Sequence, residues 1–344
     1  MGVRKWGVLA AIAVTVGFAP GANAREYVPP LGHVFVGLTG GTTTTVAPWE
    51  RMVGKHPPVF EIWMTWNTPT KWLRGRKAGT RTRLALAIGT ASGYAKAGVI
   101  SPRDIALGGS DRFLVALCRN LAHSGRIVYV RLMGEPNGHW NAYAPYNGDG
   151  SYRGDQNSSH FYIEAWRRTV MILRGGPVWW INRHLRRLGL PPLKRRIAGA
   201  ADLPHPRLAF LWVPQDAGSP DIPANSPGVF WPGSAYVDWV GTDFYGSYPN
   251  FAQLSRFYDQ FTGKPFVLSE WAVDGQDDPG FVRAVFAWAR VRPRVRMFNY
   301  YQGFSASDPA NLAHYPASQA ALREELRSGH YLPYAPEYAP PKRR

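Results

Sequence analysis

Ile127-Val128-Tyr129-Val130-Arg131-Leu132-Met133-Gly134-Glu135 is a short run of β-branched and aromatic residues that stops on a glycine and an acid. Its composition predicts a buried strand. Much later, Phe266-Val267-Leu268-Ser269-Glu270 repeats the construction, again ending on glutamate. Six more runs resemble these two: His33–Leu38, Val59–Trp66, Arg83–Ile88, Arg207–Val213, Tyr236–Gly241 and Val295–Tyr301. Helical stretches separate them. One starts at Ser101-Pro102, with serine as cap and proline in the first turn. The others span Asp111–Ser124, His160–Leu173, Phe251–Phe261, Pro279–Val291 and Pro316–Ser328. Strands alternating with helices predict a parallel sheet covered by helices. No glycine-rich dinucleotide fingerprint follows the first strand and no phosphate-binding loop occurs. A closed (β/α)8 TIM barrel, a single domain over residues 25–330, is therefore expected. In that architecture polar residues just past the strand ends share one cavity. Glu135 on the fourth strand and Glu270 on the seventh are then aimed at the same space.

The 344 residues carry 40 Lys and Arg against 23 Asp and Glu, a net charge of +17. That surplus suggests attraction to polyanions such as acidic cell-wall polymers. No nucleic-acid-binding motif accompanies it, so nucleic acid is not expected as a partner. Eight basic residues, His184 included, fall between Arg174 and Arg196; the segment reads as a solvated helix face. Arg4 and Lys5, the apolar run Val8–Phe18 and Ala22-Asn23-Ala24 form the pattern of a signal peptide over residues 1–24. The apolar run is about half of what a membrane-spanning helix needs, and no later stretch is apolar enough to span. The expected destination is secretion, free or cell-wall associated. The one cysteine, Cys118, has no partner for an internal disulfide and reads as a small buried hydrophobe. The Pro-rich stretch 331–344, ending Lys342-Arg343-Arg344, reads as an extended or disordered tail. Asn147 to Asp155 resembles a calcium loop in composition only, without EF-hand spacing, and the nine histidines show no ligand spacing. Neither metal nor cofactor is expected.

Two carboxyls facing one cavity suit glycosidic cleavage, in which one protonates the leaving oxygen while the other attacks or activates water. Trp140 and Trp271 flank the pair, and aromatic surroundings separate such pKa values by desolvation. Aromatic residues form 14% of the chain, 14 of them Trp, a loading that suits sugar stacking. Trp63, Trp66 and Trp231 are further stacking candidates.

At these residues the chain resembles glycoside hydrolase family 26, the β-mannanase family among the clan A retaining glycosidases. Arg131-Leu132-Met133-Gly134-Glu135-Pro136-Asn137-Gly138-His139-Trp140 is similar to the family's acid/base segment. Tyr236-Val237-Asp238-Trp239-Val240-Gly241-Thr242-Asp243-Phe244-Tyr245 is similar to its sixth-strand segment, and Lys264-Pro265-Phe266-Val267-Leu268-Ser269-Glu270-Trp271 to its nucleophile segment. The resemblance implies that Glu135 is the general acid/base and Glu270 the nucleophile. It implies that Tyr245 hydrogen-bonds the nucleophile, that Asp243 lines the floor or binds a hydroxyl, and that Arg131 lies beneath the cavity. Asn137, in the acid/base segment, and Tyr300, near the family's sugar-stacking Trp, join the flanking rings Trp140 and Trp271 in the substrate-binding set. Three places depart from the family: Gly134 stands in place of a histidine, Arg131 is followed by Leu132-Met133 in place of the family's usual residues, and the third strand ends Gly89-Thr90-Ala91-Ser92, again without histidine. The implied activity is retaining endo-hydrolysis of a β-linked polysaccharide, with β-1,4-mannan first. Glucan with β-1,3-1,4 links, β-xylan and cell-wall glycan stay open as substrates, as does a non-catalytic carbohydrate-binding barrel.

Overall fold

A computed structural model describes residues 26–339, except 42–44, 75–81, 92, 94, 95, 200 and 201. The expected signal peptide and residues 340–344 lie outside the described residues. Eight parallel strands form the barrel: β1 (Val34–Thr39), β2 (Val59–Thr65), β3 (Arg83–Gly89), β4 (Ile127–Leu132), β5 (Arg207–Trp212), β6 (Trp239–Tyr245), β7 (Phe266–Ala272) and β8 (Val295–Tyr301). Each pairs with the next in the chain, and β1 pairs with both β2 and β8, which closes the ring. The helices are α1 (Val46–Val53), α2 (Pro102–Ala106), α3 (Asp111–Ser124), α4 (Ser159–Arg174), α5 (Val178–Arg187), α6 (Arg195–Ala198), α7 (Phe251–Gln260), α8 (Pro279–Arg290) and α9 (Pro316–Glu325). The protein is a single-domain (β/α)8 barrel, as the alternation of runs predicts.

Side chains alternate across each strand, so the barrel has two apolar layers. Phe35, Val59, Ala85, Tyr129, Ala209, Leu211, Trp239, Val267 and Met297 fill the lower interior. The odd-even partners, among them Leu38, Val130, Phe210, Val240, Leu268 and Phe298, point outward to the helices. Cys118 is buried with them, as expected of a small hydrophobe. Among the described residues, no helix is long and apolar enough to cross a membrane.

Of the stretch 331–344, expected to be extended or disordered, residues 331–339 pack on the barrel. Tyr331–Leu332 forms a short strand, β9, on β1. Tyr331 and Ala335 are buried. Glu337 accepts hydrogen bonds from Arg83 Nε and Nη2, both at 2.8 Å. Arg83 also donates to the carbonyl of Tyr27 and the hydroxyl of Tyr129. This segment caps the lower pole because a buried guanidinium there needs a counter-charge.

Candidate active site

Above the apolar layer the inward positions turn polar: Glu61 on β2, Arg131 on β4, Asp243 on β6 and Asn299 on β8, all buried. Arg131 is the hub. Its guanidinium donates to Glu270 Oε1 and Asp243 Oδ2, and Nη1 lies 3.5 Å from Glu61 Oε1. Glu270 Oε2 accepts from the Tyr245 hydroxyl. Asp243 and Glu270 are register partners on neighbouring strands.

Glu270 reaches the cavity through an irregularity. Thr242 pairs with Leu268 and Asp243 with Glu270, so Ser269 is an extra residue in β7. With Val267 inside, strict alternation would send Ser269 and Trp271 inward and Glu270 outward. The bulge reverses this and aims the carboxylate.

Glu135 lies past the end of β4 with φ of 50°, close after Met133 at 41°. Left-handed backbone at two non-glycine residues carries strain of about 1–3 kcal/mol each, of the kind that clusters at functional sites. The turn is held by Glu135 N–H to Val213 O at 2.6 Å, Asn141 Nδ2 to Glu135 O at 2.9 Å and Tyr143 OH to Gly134 O at 2.5 Å. Trp140 Nε1 donates to Glu135 Oε2 at 2.7 Å, and Gln215 Nε2 donates to Oε1. Glu135 keeps partial solvent contact, whereas Glu270 is buried.

Four carboxyls, those of Glu61, Asp243, Glu270 and Glu135, act on the one Arg131 cation. They cannot all ionise cheaply. Burial drives Asp243 well above the usual carboxylate range, against the pull of Arg131. Burial likewise pushes Glu61 up to about 7. Glu270 is raised by burial and by the Glu135 charge, while Arg131 and the Tyr245 hydroxyl draw it back. Burial thus works against ionisation throughout the cluster, and the two donors on Glu270, Arg131 and Tyr245, oppose it there.

Arg131, Trp140, Asp243, Tyr245, Glu135 and Glu270 thus come together. Three other residues do not. Asn137 is buried and spends its side chain on backbone: its Nδ2 donates to Gln215 O (3.0 Å) and Ala217 O (3.3 Å), and its Oδ1 accepts from Gln215 N (2.9 Å). With Asn225 Nδ2 to Asn137 O at 2.9 Å and a bridge between Gly138 and Ser219, it laces the loops after β4 and β5 together. It is a loop clamp and not a sugar ligand. Trp271 is fully buried outside the barrel against Phe286, Phe298 and Tyr300. Tyr300 is buried there too, donating to Ala310 O at 3.1 Å. The ring facing the cavity is the next one, Tyr301, half-exposed and 6.1 Å from Tyr245 between centroids.

Three residues escaped the sequence reading. Glu61 looks like part of an apolar strand. Gln215 sits in a Pro- and Gly-rich loop. Phe304, 57% exposed, lies 5.5 Å edge-on from Trp63, 48% exposed. Trp63 was a stacking candidate and stands at the rim, its Nε1 donating to Thr39 at 3.3 Å. Trp66 is buried on Ser110, and Trp231 packs on Trp212 away from the carboxylates. In the Asn147–Asp155 loop, Asp149 accepts from Ser151 N and Oγ. Among the described residues no group of three or more His, Cys, Asp or Glu could hold a metal ion.

No known family profile and no curated protein matches the sequence. Solved structures do. A Bacillus subtilis mannanase, BCman, superposes with a TM-score of 0.55 at 14% identity, over 93% of this chain and 92% of the other. GH26A from a Muricauda species gives 0.54 at 18% identity over 88% and 91%. A double mutant of a Cellulomonas fimi endo-β-1,4-mannanase gives 0.58 at 16% identity over 92% and 76%. The likeness is one of fold. At such identities the activity rests on the residues of this barrel's own mouth.

Proposed function

We propose that the chain is a retaining endo-β-glycosidase of the family 26 type, with β-1,4-mannan as first substrate. One observation carries the reading: two carboxyls at the ends of β4 and β7 face one barrel mouth, and each has its own donors. Glu270, buried between Arg131 and Tyr245, has both oxygens on donors that stabilise its anion, the state a nucleophile needs. Glu135, at the rim with partial solvent contact, is placed to exchange protons.

In the first half-reaction Glu270 attacks the anomeric carbon, and Glu135 gives its proton to the departing glycosidic oxygen. The products are a glycosyl ester on Glu270 and a shortened chain. In the second, ionised Glu135 takes a proton from water. The hydroxide adds to the anomeric carbon, the ester bond breaks and Glu270 is restored. Two inversions retain configuration. Trp63, Tyr301 and Phe304 supply flat faces for sugar stacking at the rim. The sequence pattern of residues 1–24 supports export of this activity.

The test is direct. Glu270→Gln is expected to abolish turnover, and Glu135→Gln to lower it by about 10²–10⁴-fold. On mannan oligomers, proton NMR of fresh product should show the β-anomer first. Near-normal turnover in either variant, or first appearance of the α-anomer, refutes the mechanism. A panel of β-glucan, xylan and mannan fixes the sugar.

A further inference from the structure

Between α4 and β5 the chain makes an excursion over residues 175–206, where such αβ connections usually take about 2–6 residues. Its neck is closed by paired hydrogen bonds between Gly176 and Leu203, at 2.9 and 3.1 Å. Glycine is required at 175, where a Cβ would lie 1.9 Å from Pro204 O. Since α4 returns the chain from the end of β4 that bears Glu135, the neck lies at the pole where the strands begin. The excursion is therefore rooted opposite the active site.

It is folded and one-sided. Ile181 and Leu185 of α5 are buried, while Trp179, Arg183, Arg186 and Arg187 are exposed along one stripe. Lys194, Arg195 and Arg196 are exposed on α6 and the residue before it. Arg119, exposed on α3, donates to Ala198 O at 2.5 Å and so adds its charge beside α6. No acid occurs between Glu164 and Asp202. The arginines of α4 have carboxylates: Arg167 pairs with Glu164, Arg168 with Asp111 and Arg174 with Asp238. Among the described residues, no ion pair involves the six exposed cations of the excursion or Arg119. Like charges one turn apart, as at Arg183 and Arg187, destabilise a helix, so external negative charge would stabilise this one. Trp179, 64% exposed, adds a flat apolar ring to the stripe.

We propose that this excursion is a docking surface for an acidic polysaccharide whose sugars carry carboxylates. Guanidinium forks take carboxylates in pairs, and the Trp179 ring fits a sugar face. Binding there leaves the barrel mouth free. The choice of a polysaccharide among polyanions rests on the glycosidase reading; the charge argument does not.

The experiment uses the full chain, with retention on polygalacturonate, dextran, duplex DNA and anionic phospholipid vesicles read at several salt concentrations. Polygalacturonate should be bound in preference to the other three, and released as salt rises. Arg183→Gln/Arg186→Gln/Arg187→Gln should weaken that binding by roughly tenfold at low salt, and Trp179→Ala should weaken it further. Hydrolysis of short neutral oligosaccharides should not change. Absence of binding, binding untouched by the triple variant, or equal binding to DNA or vesicles overturns the proposal. If the triple variant does not fold, Lys194→Gln/Arg195→Gln/Arg196→Gln serves in its place. Retention is read without turnover, so failure of the hydrolase reading and failure of docking are told apart.

Discussion

Arg131 carries one charge and faces Glu61, Asp243 and Glu270 at contact distance. Changing any neighbour redistributes protons among the rest. The Tyr245 hydroxyl draws the Glu270 pKa down; Tyr245→Phe removes that pull. The acid limb of kcat/KM should then move to higher pH, with a larger fall in kcat than in affinity. An unchanged limb would show that the tyrosine only fills space. Glu61 gives a stability test. Its folded pKa, about 7, lies above its ordinary value, so the native state holds a proton that the unfolded chain has lost. Stability should therefore fall as pH rises from about 4.5 to 7, by something on the order of 3 kcal/mol. Melting curves of Glu61→Gln should lack that fall. The carboxylates at 135 and 270 are legible in the sequence because each ends an apolar run. Glu61 is not, because it sits inside Val59-Phe60-Glu61-Ile62. A charge in a central strand was the available signal, since such groups are rarely buried unpaired.

At the level of a strand, one extra residue decides which side chains of β7 face the cavity. Ser269 shifts the alternation of β7, sending Glu270 in and Trp271 out. On β8, Met297 faces in and Phe298 out, so Tyr300 faces out and Tyr301 in. Position beside Glu270 pointed to Trp271, and the family resemblance to Tyr300; parity turns both out of the cavity, and no local signal marks a bulge. The consequence is measurable. Trp271→Ala should cost about 3–5 kcal/mol in denaturant unfolding, since it empties a packed aromatic layer, while KM of the folded fraction stays the same. Tyr301→Ala should do the reverse, raising KM severalfold with little effect on unfolding. The eight strands were legible, because each apolar run is long enough to set its own period; the helix α1 between β1 and β2 was not read.

Across the molecule, the barrel is sealed below and worked above. Arg83, Tyr27, Tyr129 and Glu337 join both ends of the described chain at the lower pole. Proline content hid this from the sequence reading, because tertiary pairing of Arg83 supplies the order that local propensity lacks. Glu337→Gln should lower stability at neutral pH by about 1–3 kcal/mol. Arg83 holds the Glu337 carboxyl below its ordinary value, against burial. That share of stability is present above the unfolded pKa and lost as pH falls through the folded one, so the variant and the native chain should converge in acid. Circular dichroism melts at pH 7 and pH 3 read both effects. At the upper pole, the loops after β4 and β5 are stitched by Asn137, Asn225 and the Gly138–Ser219 bridge. A chemist extending an inhibitor over that wall meets fixed backbone with its polar groups already engaged. Growth toward Trp63 and Phe304 meets exposed rings, and selectivity is to be gained on that side.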